Sequence, residues 1–157
     1  MDSTKHFLFI TNDVHKPNRQ VTSALDICKK LLQDRFWAFT NNAPNTHNLR
    51  LNDHVLIYVA GVVRRYFLAS ATVSSLLVNF ENGSNELETL NELGLGFMKT
   101  GIYLKDITQF TAPVQIGPLL PVLQFIKDKK NYGLHLRLPI VKVDVADYKL
   151  IEQASLK

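Results

Sequence analysis

The chain has 157 residues, of which 46% are hydrophobic and 20% charged. That composition excludes a disordered or fibrous protein and leads us to expect one domain, 1–157, with a real core. The formal net charge of +4 permits phosphate contacts without demanding them.

No apolar run is long enough to span a bilayer, so no membrane association is expected. The start, Met1 to His6, lacks a basic stretch followed by an apolar one. The lone Cys28 has no internal partner, which agrees with a reducing compartment. A cytoplasmic location is the expectation.

Lys5 to Thr11 carries Phe7, Leu8, Phe9 and Ile10 in a row, the pattern of a strand buried on both faces, ended by Asn12-Asp13. From Ser23 to Gln33, Ala24, Leu25, Ile27, Cys28, Leu31 and Leu32 recur at three- and four-residue steps, predicting a half-buried helix. Next comes Arg35-Phe-Trp-Ala-Phe-Thr-Asn-Asn42, which holds the only tryptophan. Alternation in a strand points Trp37 and Phe39 to one face, Phe36 and Ala38 to the other. The polar loop that follows, with Asn41, Asn42, Asn45 and Asn48, places amides near these rings. Aromatic platforms beside amides suit flat polar rings such as nucleobases. By residue type alone, a core tryptophan and a loop of turn-building asparagines are the commoner states.

Strands are predicted at 36–39, 54–59 and 66–74, the last two joined near Gly61, and this block reads as an antiparallel meander. A short helix with Ser84 as cap is expected at 85–93, then a glycine-interrupted stretch and a strand at 102–107. A helix at 119–126, a strand at 140–143 and a closing helix capped by Asp144 complete the chain. The fold class is α+β, with a curved mixed sheet or small barrel flanked by short helices.

The five histidines show no ligand spacing, so no metal is expected, nor any cofactor. Gly94-Leu-Gly96-Phe-Met-Lys99-Thr100-Gly101 has glycines, lysine and threonine but not the order or strand-to-helix context of a phosphate loop. There is no nucleophile-elbow motif, and Cys28 has no catalytic base near it in sequence, so the chain is read as non-catalytic.

Thr11-Asn12, Trp37-Ala38, Asn52-Asp53 with Val55-Leu-Ile-Tyr58, and Phe125-Ile-Lys-Asp-Lys-Lys-Asn-Tyr132 together resemble, in order, the EVE family of PUA-like domains. The likeness spans nearly the whole chain and is clearest from Pro113 to Ile151. Three positions depart from the pattern: Ala38 and Asn52 stand where glycines are usual, and Tyr132 stands where a tryptophan is usual.

EVE domains look related to YTH domains, and the resemblance implies a reader of a modified, methylated base flipped from DNA or RNA into an aromatic cage. Trp37 falls at the cage-wall position, with Thr11 and Asn12 beside the same pocket. For a second wall the aromatics are Phe97, Tyr103 and Phe80, of which Phe97 is chosen. Asn41 and Tyr58 complete the expected base-binding set. Arg64, Arg65, Lys127, Lys129, Lys130 and Arg137 are the expected phosphate contacts.

Relatives of this kind serve as specificity domains of modification-dependent restriction systems, so fusion to or association with a motor or nuclease subunit is a further expectation. Two other readings stay open. One is a hydrolase of modified nucleosides, for which Lys99 and Asp53 are the nearest candidates. The other is an RNA-binding module indifferent to modification.

Overall fold

The structure is a computed structural model and describes residues 4–41, 43–61 and 64–156. The strands among them are β1 (His6–Thr11), β2 (Val14–His15), β3 (Val21–Thr22), β4 (Phe36–Phe39), β5 (His54–Val59), β6 (Tyr66–Val73), β7 (Val78–Asn79), β8 (Thr100–Gln115) and β9 (Ile140–Val143). The helices are α1 (Ala24–Gln33), α2 (Asn85–Glu92) and α3 (Val145–Ala154). One mixed sheet runs β4-β8-β6-β5-β1-β9, with β7 also paired to β8. It curls into a half-barrel flanked by the three helices, the expected α+β class.

Alternation in β1 divides the core in two. Phe7 and Phe9 enter one cluster with Val55 and Ile57 of β5, α1 and the β4 aromatics. Leu8 and Ile10 enter the other, with Leu56 and Tyr58 of β5 and with Tyr148 and Ile151 of α3. This is why the Phe7–Ile10 run is apolar without interruption. β1 and β5 are parallel, Phe7 opposite Val55 and Thr11 opposite Val59. Their carboxyl ends therefore open at the same edge of the fold.

The curl comes from bulges. Ile57 pairs with Ala69 while Tyr58 pairs with Phe67, which leaves Leu68 as the extra residue in β6. Between Ser70–Thr108 and Thr72–Lys105 the register slips again, and Asp106 there has a φ of 50°.

The expected helices α1 and α2 form as read, and Ser23 and Ser84 accept from the backbone N–H of Asp26 and Leu87. Three expectations need correction. β4 does not join a meander with β5; it lies at the sheet edge on β8, because β8 runs on far enough to pair with both β4 and β6. That strand covers Thr100–Gln115, not 102–107. The stretch 119–126 forms no regular helix: a 3₁₀ segment covers Gly117–Leu119, and isolated turns follow it. The Asp147 carboxylate instead accepts the backbone N–H groups of Gln124 and Phe125, both at 2.8 Å. Asp144 does occupy the N-cap of α3, but its side chain makes no capping hydrogen bond.

Candidate nucleic-acid interface

Two cavities open at the carboxyl ends of β1 and β5, one on each face of the sheet. Ligand sites commonly gather beyond the carboxyl ends of parallel strands. Asn12, the residue after β1, lines both cavities, and so does Arg137.

The first cavity, about 250 Å³, is floored by Trp37, Phe39, Ile27, Leu31 and Leu95. Its mouth carries Thr11, Asn12, Asp13, Thr40, Phe97 and Arg137. The Trp37 ring lies 5.7 Å from that of Phe9, tilted by 30°, while Phe39 meets Phe9 edge-on at 5.3 Å. Trp37 and Phe39 thus share a face, as alternation in β4 requires. Trp37 is only 3% exposed, whereas Phe97 is 60% exposed. One aromatic forms the wall and the other overhangs the rim.

Polar groups converge on this apolar floor. The Asn12 amide has no side-chain hydrogen bond to another described residue. Asp13 Oδ1 accepts the backbone N–H of Ala24 at 2.7 Å, which ties the rim to the start of α1. Behind the wall, burial pushes the Cys28 thiol up to about 12, against the lowering effect of the Thr11 side chain. Cys28 is accordingly an inert core thiol.

The second cavity, about 500 Å³, is lined by Tyr58, Tyr132, Asn12 and Asn131 and by three cations, Arg65, Lys130 and Arg137. No carboxylate is among its described lining residues. Arg65 is fixed there: Nε donates to the Gly61 carbonyl at 2.8 Å and Nη1 to the Tyr132 hydroxyl at 3.2 Å. Its guanidinium carbon is 6.0 Å from the Tyr132 ring centre. Burial first, and the neighbouring Tyr132 second, hold the Tyr58 phenol above its ordinary value, opposed by Arg65. Tyr58 therefore stays a neutral hydroxyl.

The first cavity brings together Trp37, Thr11, Asn12 and Phe97 from the expected base-binding set. Tyr58 faces the other cavity, because β5 alternation turns it to the opposite side of the sheet from Ile57. Asn41 lines neither; Thr40 takes the place nearest the wall. Asn42 lies outside the described residues. Asn45 and Asn48 build their loop, with Asn45 donating to the Ile140 carbonyl and Asn48 to Asn45. Phe80 is core, edge-on to Phe36 at 5.4 Å, and the Tyr103 hydroxyl donates to Glu86 on α2.

Of the expected phosphate contacts, Arg65, Lys130 and Arg137 line the basic cavity, while Arg64, Lys127 and Lys129 line neither. The Lys129 ammonium is spent on the Leu123 carbonyl. Lys99 and Asp53 also lie away from both cavities. Asp53 is 2% exposed and accepts the backbone N–H of Lys5 at 3.0 Å and of Arg50 at 2.9 Å. That carboxylate pins the entry to β5. Sequence reading did not single out Asp13, Met98 or Leu138, which the fold adds to the first cavity, or Asn131, added to the second. Tyr132, which stands where the family pattern has a tryptophan, lines the second cavity as well. Among the described residues no group of three or more His, Cys, Asp or Glu is placed to hold a metal ion, and no helix is long and apolar enough to cross a membrane.

No protein-family model and no curated protein matches the chain. Solved structures do match. Human THYN1 in complex with DNA containing 5-methylcytosine superposes with a TM-score of 0.65 at 12% identity, over 98% of this chain and 99% of that one. The fold is PUA-like. The DUF55 domain of human thymocyte nuclear protein 1 gives a TM-score of 0.62 at 12% identity, covering 97% and 99%. The YTH domain of the Zygosaccharomyces rouxii MRB1 protein, in complex with N6-methyladenosine RNA, gives 0.60 at 12% identity, covering 99% and 88%. The PUA-like architecture implied by the resemblance to EVE domains is thus present along the length of the chain. At these identities the agreement concerns the fold.

Proposed function

We propose that this PUA-like chain is a non-catalytic reader of a modified base, accepting a methylated base flipped out of DNA or RNA into the Trp37 cavity. The observation that carries the reading is the convergence of Trp37, Phe97, Thr11 and Asn12 on one cavity of about 250 Å³. That volume lies below the range of about 300–1,000 Å³ usual for drug-sized ligands and suits a single flat ring. Two proteins of the same fold, THYN1 and the MRB1 YTH domain, were crystallised with methylated nucleic acid, which supports the same ligand class here.

Energetics assign the parts. Extruding a base costs a few kcal/mol and one aromatic stack returns about 1–3 kcal/mol, so the wall barely offsets flipping. Net affinity then comes from phosphate contacts, for which Arg137 stands at the rim of both cavities and Arg65 and Lys130 line the basic one. A buried methyl adds only ~0.8 kcal/mol, roughly fourfold. Sharper selection falls to Asn12, whose exposed amide is free to read a base edge and is left unpaired by the wrong one. The chain supplies recognition alone, or serves as the specificity part of a restriction system whose motor or nuclease lies on another subunit or segment.

The test is binding of matched DNA and RNA oligonucleotides, with and without methylated adenine or cytosine, at fixed salt. Wild type should prefer one modified oligonucleotide. Trp37→Ala should abolish the preference but also removes a buried side chain, at about 3–5 kcal/mol. Trp37→Phe, which keeps a ring, should retain a weakened preference. Equal, salt-sensitive binding of all oligonucleotides by all three proteins would sink the reading.

A further inference from the structure

The basic cavity is too large for a phosphate alone. At about 500 Å³ it is twice the volume of the Trp37 cavity and falls in the range of pockets that hold a whole small molecule. Its surfaces are of two kinds. Arg65, Lys130 and Arg137 are cations with no carboxylate among the lining residues described, and Arg65 is held in place before any ligand arrives. The rest of the lining includes the Tyr58 and Tyr132 rings and the amides of Asn12 and Asn131. The Asn131 backbone N–H and side-chain amide both donate to Asp128, which fixes that loop. Cations suit a phosphate; rings and amides suit a base.

The two cavities share Asn12 and Arg137, so a strand entering one has only these residues to cross before the other. We propose that the basic cavity takes the nucleotide immediately next to the modified one, its base against Tyr132 and its phosphate on Arg65 and Arg137. The unit recognised is then two consecutive nucleotides, the modified base in the Trp37 cavity and an unmodified neighbour here. This rests on the Trp37 cavity being the base site. It adds a contribution that a free modified nucleoside cannot make.

The experiment uses the wild-type protein and single-stranded oligonucleotides carrying the preferred modified base, with an abasic residue placed immediately 5′, immediately 3′, or three residues away. One adjacent abasic position should weaken binding about tenfold, the worth of a base stack. The other positions should have little effect. Tyr132→Ala should lose this sensitivity while keeping the preference for modified over unmodified base, and Tyr132→Phe should keep both; thermal melting checks that the variants are folded. If neither adjacent abasic residue weakens binding while the modification still matters, the second base site is overturned and the base reader stands. If modification makes no difference to wild type, the reader falls and this proposal with it.

Discussion

Gly101 lies opposite Ala38 across the pairing of β8 with β4, and a Cβ there would run into the Trp37 carbonyl oxygen and the Phe80 ring. The backbone φ at Gly101 is not positive, so the requirement is for space alone. Lacking a side chain, Gly101 lets β8 approach closely enough to seat Trp37 against Phe9. Gly101→Ala should therefore push β4 outward, costing about 1–3 kcal/mol of stability as other overpacked sites do. It should also weaken the preference for modified base, although the residue lines neither cavity. Denaturant unfolding and oligonucleotide binding on the same variant check both. Unchanged binding alongside lowered stability would mean that the wall tolerates a shifted β4.

Asn12→Ala separates selection from affinity. The side chain is exposed and bonded to no other described residue, so its loss should leave thermal stability within about 0.5 kcal/mol of wild type. Loss of one base-edge hydrogen bond should cut discrimination by about 1–3 kcal/mol. Salt-dependent binding to unmodified strands should persist. A variant that binds all strands more weakly by one factor, with the preference intact, would give Asn12 a positioning role only.

Much of this was legible in the sequence where local pattern and tertiary contact agree. The α1 helix was readable because Ser23 caps it and its apolar residues keep one face. The Phe7–Ile10 run could be read as buried on both faces, since two separate cores claim alternate residues. The reading failed where distant partners decide. Nothing local says that Asp147 will take the N–H groups of Gln124 and Phe125, so the apolar stretch around them passed for a helix. The length of β8 was hidden by Asp106 and Pro113 and by bulges that spoil alternation. Trp37 and Phe97 came from family position and aromatic composition. Tyr58 went to the other cavity because one step along a strand changes the face. Tyr132 and Arg137 share a cavity with Asn12 because the 130–137 segment lies at the ends of β1 and β5.

Arg137 and Lys129 offer a paired comparison of cations. Arg137 lines both cavities and has no ion-pair partner among the described residues. Lys129 donates to the Leu123 carbonyl and lines neither. Arg137→Gln should weaken binding to modified and unmodified strands alike and lower the salt slope by about 1. Lys129→Gln should leave the slope unchanged. Titration of one oligonucleotide across several salt concentrations measures both. A smaller slope in the lysine variant and none in the arginine variant would relocate the phosphate path toward the 127–130 run.

Alkaline pH should expose the buried thiol. In the folded protein burial pushes Cys28 up to about 12 from an ordinary value of 9.0. The folded state thus holds the proton that the unfolded chain gives up first. The stabilisation is fully present below about pH 9 and is lost as pH climbs through the window from 9 to 12. At about 1.4 kcal/mol per unit, the whole window amounts to no more than about 4 kcal/mol. Tyr58 and Tyr148, both raised chiefly by burial, add to the loss above pH 10. Their contribution is common to wild type and Cys28→Ala, so the difference between those two proteins isolates the thiol. Urea unfolding at pH 8, 9.5 and 11 should show the stability advantage of wild type over the alanine variant shrinking by about 2–3 kcal/mol across the series. An advantage that stays constant would mean that the thiol reaches water in the folded state, and thiol-reactive probes at pH 8 would then label it at the rate of an exposed cysteine.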